Sequence, residues 1–227
     1  MPPGYYKMGK KLYIFDFDGT LVDTITDVAI CFNAALAQFG FPIHDLTLYK
    51  HFVGGNLETV VARLLPSDQM TEENITKVKT VYRELYLASD KPNTAPFSGI
   101  TEVLSQLQKK QKKLTIHTNK AQQLTDALCQ RFFGQIDFLA VAGYDPLYPS
   151  KPDPWGVQYL MEKARVTAEE TVYIGDGLTD VLTAENAGID CLYVTWGQGK
   201  QGDTDHSCVC FIAEKPQDIL DYEKGTK

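Results

Sequence analysis

The most informative segment of the chain is Leu12-Tyr13-Ile14-Phe15-Asp16-Phe17-Asp18-Gly19-Thr20-Leu21-Val22-Asp23. It opens on four apolar residues, whose number and composition are typical of a buried strand. Asp16 and Asp18 follow, one residue apart, and a Gly-Thr turn comes next. Because side chains alternate along a strand, both carboxylates would face the same way at its carboxyl end, where α/β sheets bind ligands.

Two carboxylates so close together repel each other unless a cation joins them or one keeps its proton. The pair therefore predicts a hard divalent cation such as Mg²⁺. It also offers a carboxylate nucleophile with an acid/base beside it. Two solvated aspartates in an ordinary turn are an equally common arrangement, so the rest of the chain has to decide between the two interpretations.

Composition limits the class of protein. The 227 residues are enough for one large domain, or for a core domain with a smaller insert. Lys and Arg number 22 against 29 Asp and Glu, a formal net charge of −7, which argues against a nucleic-acid partner but not against a small anionic substrate. No apolar stretch reaches transmembrane length, and residues 1–11 look like a loose polar lead-in without the apolar core of a signal peptide.

The five cysteines have no paired Cys-x-x-Cys spacing, which indicates reduced thiols in a cytoplasmic protein. Alternation along a late strand explains the spacing of Cys208 and Cys210 better than a zinc site does.

Helical and strand patterns fall into two blocks. Residues 22–93 carry three helical patterns and no convincing strand. Strands and helices alternate afterwards, which predicts a Rossmann-like doubly wound parallel sheet of the α/β class. The predicted domains are an α/β core of residues 1–21 and 94–227 and a small α-helical domain of residues 22–93. The predicted helices span 24–39, 57–65, 71–89, 100–110, 121–133, 155–164 and 178–187, with a short one from 216, and the predicted strands span 12–15, 113–117, 138–142, 171–174, 191–195 and, weakly, 208–212.

Inside the helical block, Gly54, Gly55 and Asn56 form the most flexible turn. Glycines would let the backbone approach a ligand there, which makes the turn a candidate substrate-specificity loop. An ordinary connection between two helices is the alternative.

Four polar stretches follow predicted strands, where an α/β fold gathers its site. Besides Asp16 and Asp18, these are Thr118-Asn119, Ser150-Lys151-Pro152-Asp153-Pro154 and Gly175-Asp176-Gly177-Leu178-Thr179-Asp180. A threonine hydroxyl and turn N–H groups suit phosphoryl oxygens, and prolines stiffen the backbone that presents Lys151 to an anion. Each stretch alone has a plain structural explanation, but their joint order along the βα units favours one phosphate-handling site.

With these stretches, the chain from about residue 12 to 220 resembles the phosphatases of the haloacid dehalogenase superfamily, whose four motifs they match. The sequence around Thr118 and Lys151 is similar to that of phosphoglycolate phosphatases. A helical cap inserted straight after the first motif marks one subgroup, and residues 22–93 fit it. Gly177 departs from the pattern, because many relatives have Ser or Thr there.

The resemblance implies roles for the acidic residues. Asp16 would attack phosphorus and form an aspartyl-phosphate. Asp18 would protonate the leaving oxygen and then deprotonate the hydrolytic water. Mg²⁺ would be held by Asp16, the backbone carbonyl of Asp18, and Asp176. Asp180 would bind the ion through water or orient Lys151.

The resemblance also implies that Thr118, the N–H of Asn119, and Lys151 hold the phosphoryl oxygens, while the cap closes over the site and selects the substrate. The implied activity is Mg²⁺-dependent hydrolysis of a small phosphorylated metabolite, with phosphoglycolate as the first candidate, and no nucleic acid or membrane is an expected partner.

Other activities of the superfamily stay open at this point. A pyrophosphatase would ask little of the cap. A mutase resembling β-phosphoglucomutase would carry a cap histidine ten residues after the second aspartate, where this chain has Val28. A phosphonate-cleaving relative would use a cap lysine, and neither Lys50 nor Lys77 lies in a recognisable motif. From another class, a non-catalytic phosphate-binding regulator would not need both Asp16 and Asp18.

Overall fold

The computed structural model describes residues 9–222. The strands are β1 Leu12–Phe15, β2 Val22–Asp23, β3 Ala95–Pro96, β4 Lys113–Ala121, β5 Phe138–Tyr144, β6 Thr171–Gly175, β7 Asp190–Val194 and β8 Val209–Ala213. The α-helices are α1 Ile25–Gln38, α2 Tyr49–Phe52, α3 Leu57–Leu64, α4 Glu72–Ala88, α5 Ile100–Lys109, α6 Gln122–Phe133, α7 Trp155–Ala164, α8 Leu178–Asn186 and α9 Asp218–Tyr222, and a 3₁₀ turn, Leu46–Leu48, precedes α2.

Six parallel strands form the main sheet in the order β5-β4-β1-β6-β7-β8. All four residues of β1 are buried, because helices cover both faces of the sheet and apolar clusters lie on either side. β1 lies between β4 and β6, so Phe15 is level with Ile116 on one side and Ile174 on the other. The predicted Rossmann-like α/β fold is confirmed.

Helices α1 to α4 enclose a third apolar cluster of their own, and we call these four helices the helical unit. Phe32 of α1 stacks on Tyr82 of α4 with ring centroids 3.7 Å apart, and Val61 and Val78 are fully buried in the same cluster. The division of the chain into two domains at the predicted boundaries stays a prediction.

Two predictions about strands are wrong in detail. Residues 22–93 do contain a strand, because β2 pairs with β3 in a two-residue antiparallel ladder where the chain enters and leaves the helical unit. A strand of two residues is too short to show a period. β4 continues four residues beyond its predicted end at His117, with a register shift between His117 and Ala121, so Thr118, Asn119 and Lys120 lie in an irregular strand and not in a turn.

The predicted loose lead-in falls mostly outside the described residues, and it is wrong at its end. Lys10 is buried, and its ammonium donates to the carbonyl of Glu169 and pairs with Asp190 at 2.9 Å.

All five cysteines are free thiols. Within residues 9–222, no helix combines the length and the apolar character that crossing a bilayer requires.

Candidate active site

All ten predicted site residues line one cavity of about 380 Å³ at the carboxyl edge of the sheet: Asp16, Asp18, Gly54, Gly55, Asn56, Thr118, Asn119, Lys151, Asp176 and Asp180. Asp16 and Asp176 directly follow the neighbouring strands β1 and β6, whose carboxyl ends meet at this edge. The helical unit supplies the facing wall. The site therefore lies between the sheet and the helices inserted after β1.

Lys151 is the charged centre of the site. Its ammonium lies 2.8 Å from Asp16 Oδ1 and 2.7 Å from Asp180 Oδ1, and all three side chains are buried. Asp180 Oδ2 also accepts the N–H of Gly177 at 3.2 Å. The predicted link between Asp180 and Lys151 is therefore present, and Asp180 fixes the ammonium beside Asp16.

Burial and the neighbouring charges shift the pKa of each of these groups. Desolvation and the charge of Asp180 raise the pKa of Asp16 to about 7, although Lys151 opposes the shift. Desolvation also raises the pKa of Asp176 well above its usual value, and Asp180 and Asp16 add to the effect. Burial alone would lower the pKa of Lys151, but Asp16 and Asp180 outweigh it and raise that pKa well above its usual value.

This set of donors fits a hard divalent cation. Carboxylate oxygens of Asp16, Asp176 and Asp180 lie within 4.8 Å of one another, all three residues being buried. Three ionised carboxylates facing the single ammonium of Lys151 would leave two negative charges uncompensated in a desolvated site, and a dication such as Mg²⁺ would balance them. The side chain of Asp18 lies outside this cluster, so any contribution to a metal from Asp18 would come from its backbone carbonyl.

Asp176 is held on both of its oxygens. Thr20 Oγ1 donates to Oδ1 at 2.9 Å, and the N–H of Gln198 donates to Oδ2 at 2.8 Å. A Cβ at residue 197 would collide with the Asp176 carboxylate, so the glycine there permits the close approach of the Gln198 backbone. The carboxylate is thus oriented without any contact to Lys151.

Asp18 has a different set of partners. Thr24 Oγ1 donates to its Oδ1 at 2.7 Å, and the ammonium of Lys120 lies 2.9 Å from Oδ1 and 3.1 Å from Oδ2. Thr24 occupies the N-cap position of α1 but makes no capping hydrogen bond with its side chain, because the hydroxyl is used on Asp18. Asp16 and Asp18 are therefore held by different hydrogen-bond and ion-pair partners.

Thr118 and Asn119 lie where β4 becomes irregular. Thr118 is buried on the cavity wall, and its hydroxyl accepts the N–H of Lys120 at 3.2 Å. Asn119 Oδ1 accepts the N–H of Lys151 at 2.9 Å, and its Nδ2 donates to the carbonyl of Lys151 at 3.2 Å and, more weakly, to that of Gly55 at 3.5 Å. The Asn119 side chain thus holds the backbone that presents the central lysine.

The predicted specificity loop borders the cavity from the helical unit. Gly54 and Gly55 have φ of 109° and 88°, which favour glycine, and Arg63 Nη1 donates to the carbonyl of Gly54 at 2.9 Å. Asn56 Oδ1 caps α3 by accepting the N–H of Thr59 at 2.9 Å. The loop therefore exposes its backbone to the cavity while its one polar side chain is used for capping.

Sequence reasoning gave no role to four further residues that hold the site together: Thr20, Tyr86, Lys120 and Gln198. Thr20 and Lys120 lie close in sequence to the predicted residues Asp18 and Asn119, and this closeness was the signal that could have identified them. Tyr86 and Gln198 come from distant segments, and no local pattern marks them.

Comparison with known proteins gives consistent results. The family model described as haloacid dehalogenase-like hydrolase matches residues 13–194. A Psychrobacter arcticus protein named phosphoglycolate phosphatase is 31% identical over 197 residues, which are 84% of this chain and 85% of that protein. A solved structure from Lactobacillus delbrueckii subsp. bulgaricus has a TM-score of 0.88 at 25% identity, over 96% of this chain and 100% of the other. A haloacid dehalogenase-like family protein from Streptococcus pneumoniae has a TM-score of 0.82 at 28% identity, over 94% and 98%.

Proposed function

Because this chain belongs to the haloacid dehalogenase-like hydrolase family, we propose that it hydrolyses a small phosphorylated metabolite with Mg²⁺ through an aspartyl-phosphate on Asp16. The chain is a phosphatase, an enzyme acting on phosphoric monoesters. One observation supports the proposed roles of the two aspartates: Asp16 is held 2.8 Å from a buried ammonium, while Asp18, two residues on, is held by different partners. Two aspartates in separate settings suit a nucleophile and an acid/base. We place the enzyme in the cytoplasm, in keeping with its free thiols.

Asp16 acts first. One carboxylate oxygen attacks phosphorus as the bond from phosphorus to the ester oxygen breaks, and Asp18, as the carboxylic acid, gives its proton to the departing oxygen. In the second half, the Asp18 carboxylate takes a proton from water as the water oxygen attacks phosphorus and the bond from phosphorus to the Asp16 oxygen breaks. Inorganic phosphate leaves, and both aspartates return to their starting states.

Asp16, Asp176 and the backbone carbonyl of Asp18 would hold Mg²⁺. When bound, the ion neutralises the buried carboxylates and the charge of the phosphoryl group. Thr20 and Gln198 keep Asp176 oriented for that role.

Lys151, Thr118 and the N–H of Asn119 hold the phosphoryl oxygens in this proposal. Lys151 lowers the repulsion between an anionic ester and the Asp16 carboxylate. Asp180 keeps the lysine charged and in place, and the side chain of Asn119 fixes its backbone.

The helical unit, residues 22–93 in our proposed division, serves as a cap that excludes water and selects the organic part of the substrate. The contacts that join it to the core at the cavity rim include Asn119 Nδ2 with the Gly55 carbonyl at 3.5 Å and Lys200 Nζ with the His51 carbonyl at 3.2 Å. These contacts support a closed arrangement of the cap over the site.

Phosphoglycolate is the proposed substrate, supported by the relatives that carry that name and by the cations of the cavity. The carboxylate of phosphoglycolate is its second anionic group and needs a cationic partner other than Lys151. Arg83 of α4 is an exposed residue on the cavity wall, with its guanidinium carbon 5.9 Å from the centre of the Tyr144 ring. A guanidinium matches a carboxylate in a two-pronged hydrogen bond, so we assign Arg83 to the substrate carboxylate.

Replacing Arg83 with Met is expected to raise KM for phosphoglycolate by roughly 10- to 100-fold, the value of a charge-assisted hydrogen bond of about 1.5–3 kcal/mol. KM for 2-hydroxyethyl phosphate, which lacks the carboxylate, should stay the same. Steady-state kinetics on both esters measure the difference. Arg131→Met is the matched control, because Arg131 donates to the Asp90 carbonyl and does not line the cavity. Equal changes on both esters would show that Arg83 does not recognise the carboxylate.

A phosphate-release screen tests the proposed function itself. Phosphoglycolate, 2-hydroxyethyl phosphate, glucose 1-phosphate and inorganic pyrophosphate are each incubated with the enzyme in Mg²⁺ and in EDTA. Release should need Mg²⁺ and be fastest from phosphoglycolate. Faster release from another compound would overturn the substrate assignment, and undiminished release in EDTA would overturn the role of the metal.

A further inference from the structure

Lys120 is a cation on the cavity wall that has no role in the proposed hydrolysis. Its side chain is 6% exposed, while that of Asp18 is 32% exposed, so the ammonium has given up most of its water. Burying an ammonium is costly unless it is paired, and the carboxylate of Asp18 is the partner it contacts. Lys120 therefore lies against the aspartate proposed as the acid/base, away from Asp16.

The contacts on Asp18 are unequal between its two oxygens. Oδ1 accepts hydrogen bonds from Thr24 at 2.7 Å and from Lys120 at 2.9 Å, whereas Oδ2 has the single, longer contact to Lys120 at 3.1 Å. A protonated carboxyl group keeps its proton on the oxygen that accepts fewer hydrogen bonds. Oδ2 is thus the oxygen available to carry the proton, while Oδ1 fixes the orientation of the group.

Lys120 is also tied to the helical unit. Its ammonium donates to the hydroxyl of Tyr86 at 3.1 Å and lies 4.6 Å from the centre of the Tyr86 ring. Tyr86 is buried and stacks on Tyr82 with centroids 5.6 Å apart, and Tyr82 stacks in turn on Phe32. Two consecutive stacked pairs of rings from the helical unit thus set where the ammonium of Lys120 can lie.

We infer that Lys120 is a positioning residue that orients the acid/base Asp18 and, through Tyr86, completes that arrangement when the helical unit covers the site; this rests on the proposed function. Lys120 donates a hydrogen bond to Asp18 in both steps. The proton moves from Asp18 Oδ2 to the leaving oxygen and later returns to Asp18 from water.

Orientation of an acid matters most when the leaving group needs a proton. Phenyl phosphate and 4-nitrophenyl phosphate have nearly the same shape, but 4-nitrophenolate leaves readily without protonation. Lys120→Met should lower kcat/KM for phenyl phosphate by about tenfold or more and for 4-nitrophenyl phosphate by less than about threefold. The ratio kcat/KM reports phosphoryl transfer to the enzyme, so slow hydrolysis of the intermediate does not mask the difference.

Three further variants make the test decisive. Asp18→Asn should show the same dependence on leaving group, and Lys120→Arg should recover part of the phenyl phosphate activity. If Lys120→Met does not fold, Tyr86→Phe should still give a weaker form of the same pattern. Equal losses on both esters, in the variants that fold, would overturn the inference and indicate general phosphate binding or a structural role. A wild-type enzyme inactive on both esters and on phosphoglycolate in Mg²⁺ would instead contradict the proposed function.

Discussion

Replacing Asp16 with Asn is expected to lower phosphate release by roughly 10⁴-fold or more, the order of loss when a hydrolase loses its nucleophile. The amide keeps the shape of the side chain, and its oxygen can still accept the N–H of Phe17, which donates to Asp16 Oδ1 at 2.7 Å. An amide cannot form the aspartyl-phosphate. Steady-state release from phosphoglycolate in Mg²⁺ measures the loss.

The Asp16→Asn variant should stay folded, which separates lost chemistry from lost structure. Burial and Asp180 raise the pKa of Asp16 to about 7, so the ionised carboxylate is disfavoured in the metal-free fold, and a neutral amide removes that cost. Denaturant unfolding in EDTA at about pH 8 should show a variant at least as stable as the wild type. Asp23→Asn, in the same stretch but not lining the cavity, is the matched control and should keep its activity. More than a few per cent of wild-type turnover in Asp16→Asn would remove the nucleophile assignment.

Replacing Asp176 with Asn should abolish stabilisation by Mg²⁺ and lower turnover by roughly 10³-fold, since several kcal/mol of metal-dependent charge stabilisation are lost. In the wild type, Mg²⁺ at about 100 times its Kd should add about 2.7 kcal/mol, or roughly 5–10 °C in Tm for a chain of this size. Thermal unfolding with Mg²⁺ and with EDTA measures the stabilisation, and phosphate release measures turnover.

The pH dependence of that stabilisation follows from the raised pKa values. The pKa of Asp16 rises from its usual 3.8 to about 7 on folding, so the metal-free fold loses stability as the pH rises between those values, where the unfolded chain has already ionised. Mg²⁺ binds the ionised carboxylates, so its effect on Tm should be small at about pH 5.5 and large at about pH 8. Asp68→Asn, at an exposed site away from the cavity, should respond to Mg²⁺ like the wild type. An unchanged Mg²⁺ response in Asp176→Asn would mean that the metal binds elsewhere.

Much of the α/β core could be predicted from the sequence because local patterns determine it. The apolar runs that become β1 and β6 are each followed by an aspartate, and parallel strands bring their carboxyl ends to one edge of the sheet. Asp16 and Asp176 therefore had to lie close together once the fold class was known. Lys151 followed from its position after β5, and its contact with Asp180 is one of the two roles that the resemblance implied for that aspartate.

The missed features depend on contacts between distant parts of the chain. Lys120 and Tyr86 meet only because α4 packs over the edge of the sheet, and no period or turn signal encodes that meeting. Asp27, in the first turn of α1, similarly accepts hydrogen bonds from Asn93 and Thr94, which joins the entry and the exit of the helical unit. Such links follow from tertiary packing and cannot be deduced from local spacing.

If the phosphoryl group passes through Asp16, the aspartyl-phosphate can be trapped on that residue. The enzyme is mixed with phosphoglycolate and Mg²⁺, quenched in acid within one turnover, digested, and its peptides are analysed by mass spectrometry. We expect a gain of one phosphoryl group on the peptide that contains Asp16, located on that residue by fragmentation and absent from Asp16→Asn. A phosphoryl group on another side chain, or rapid hydrolysis with no labelled peptide at any quench time, would contradict it.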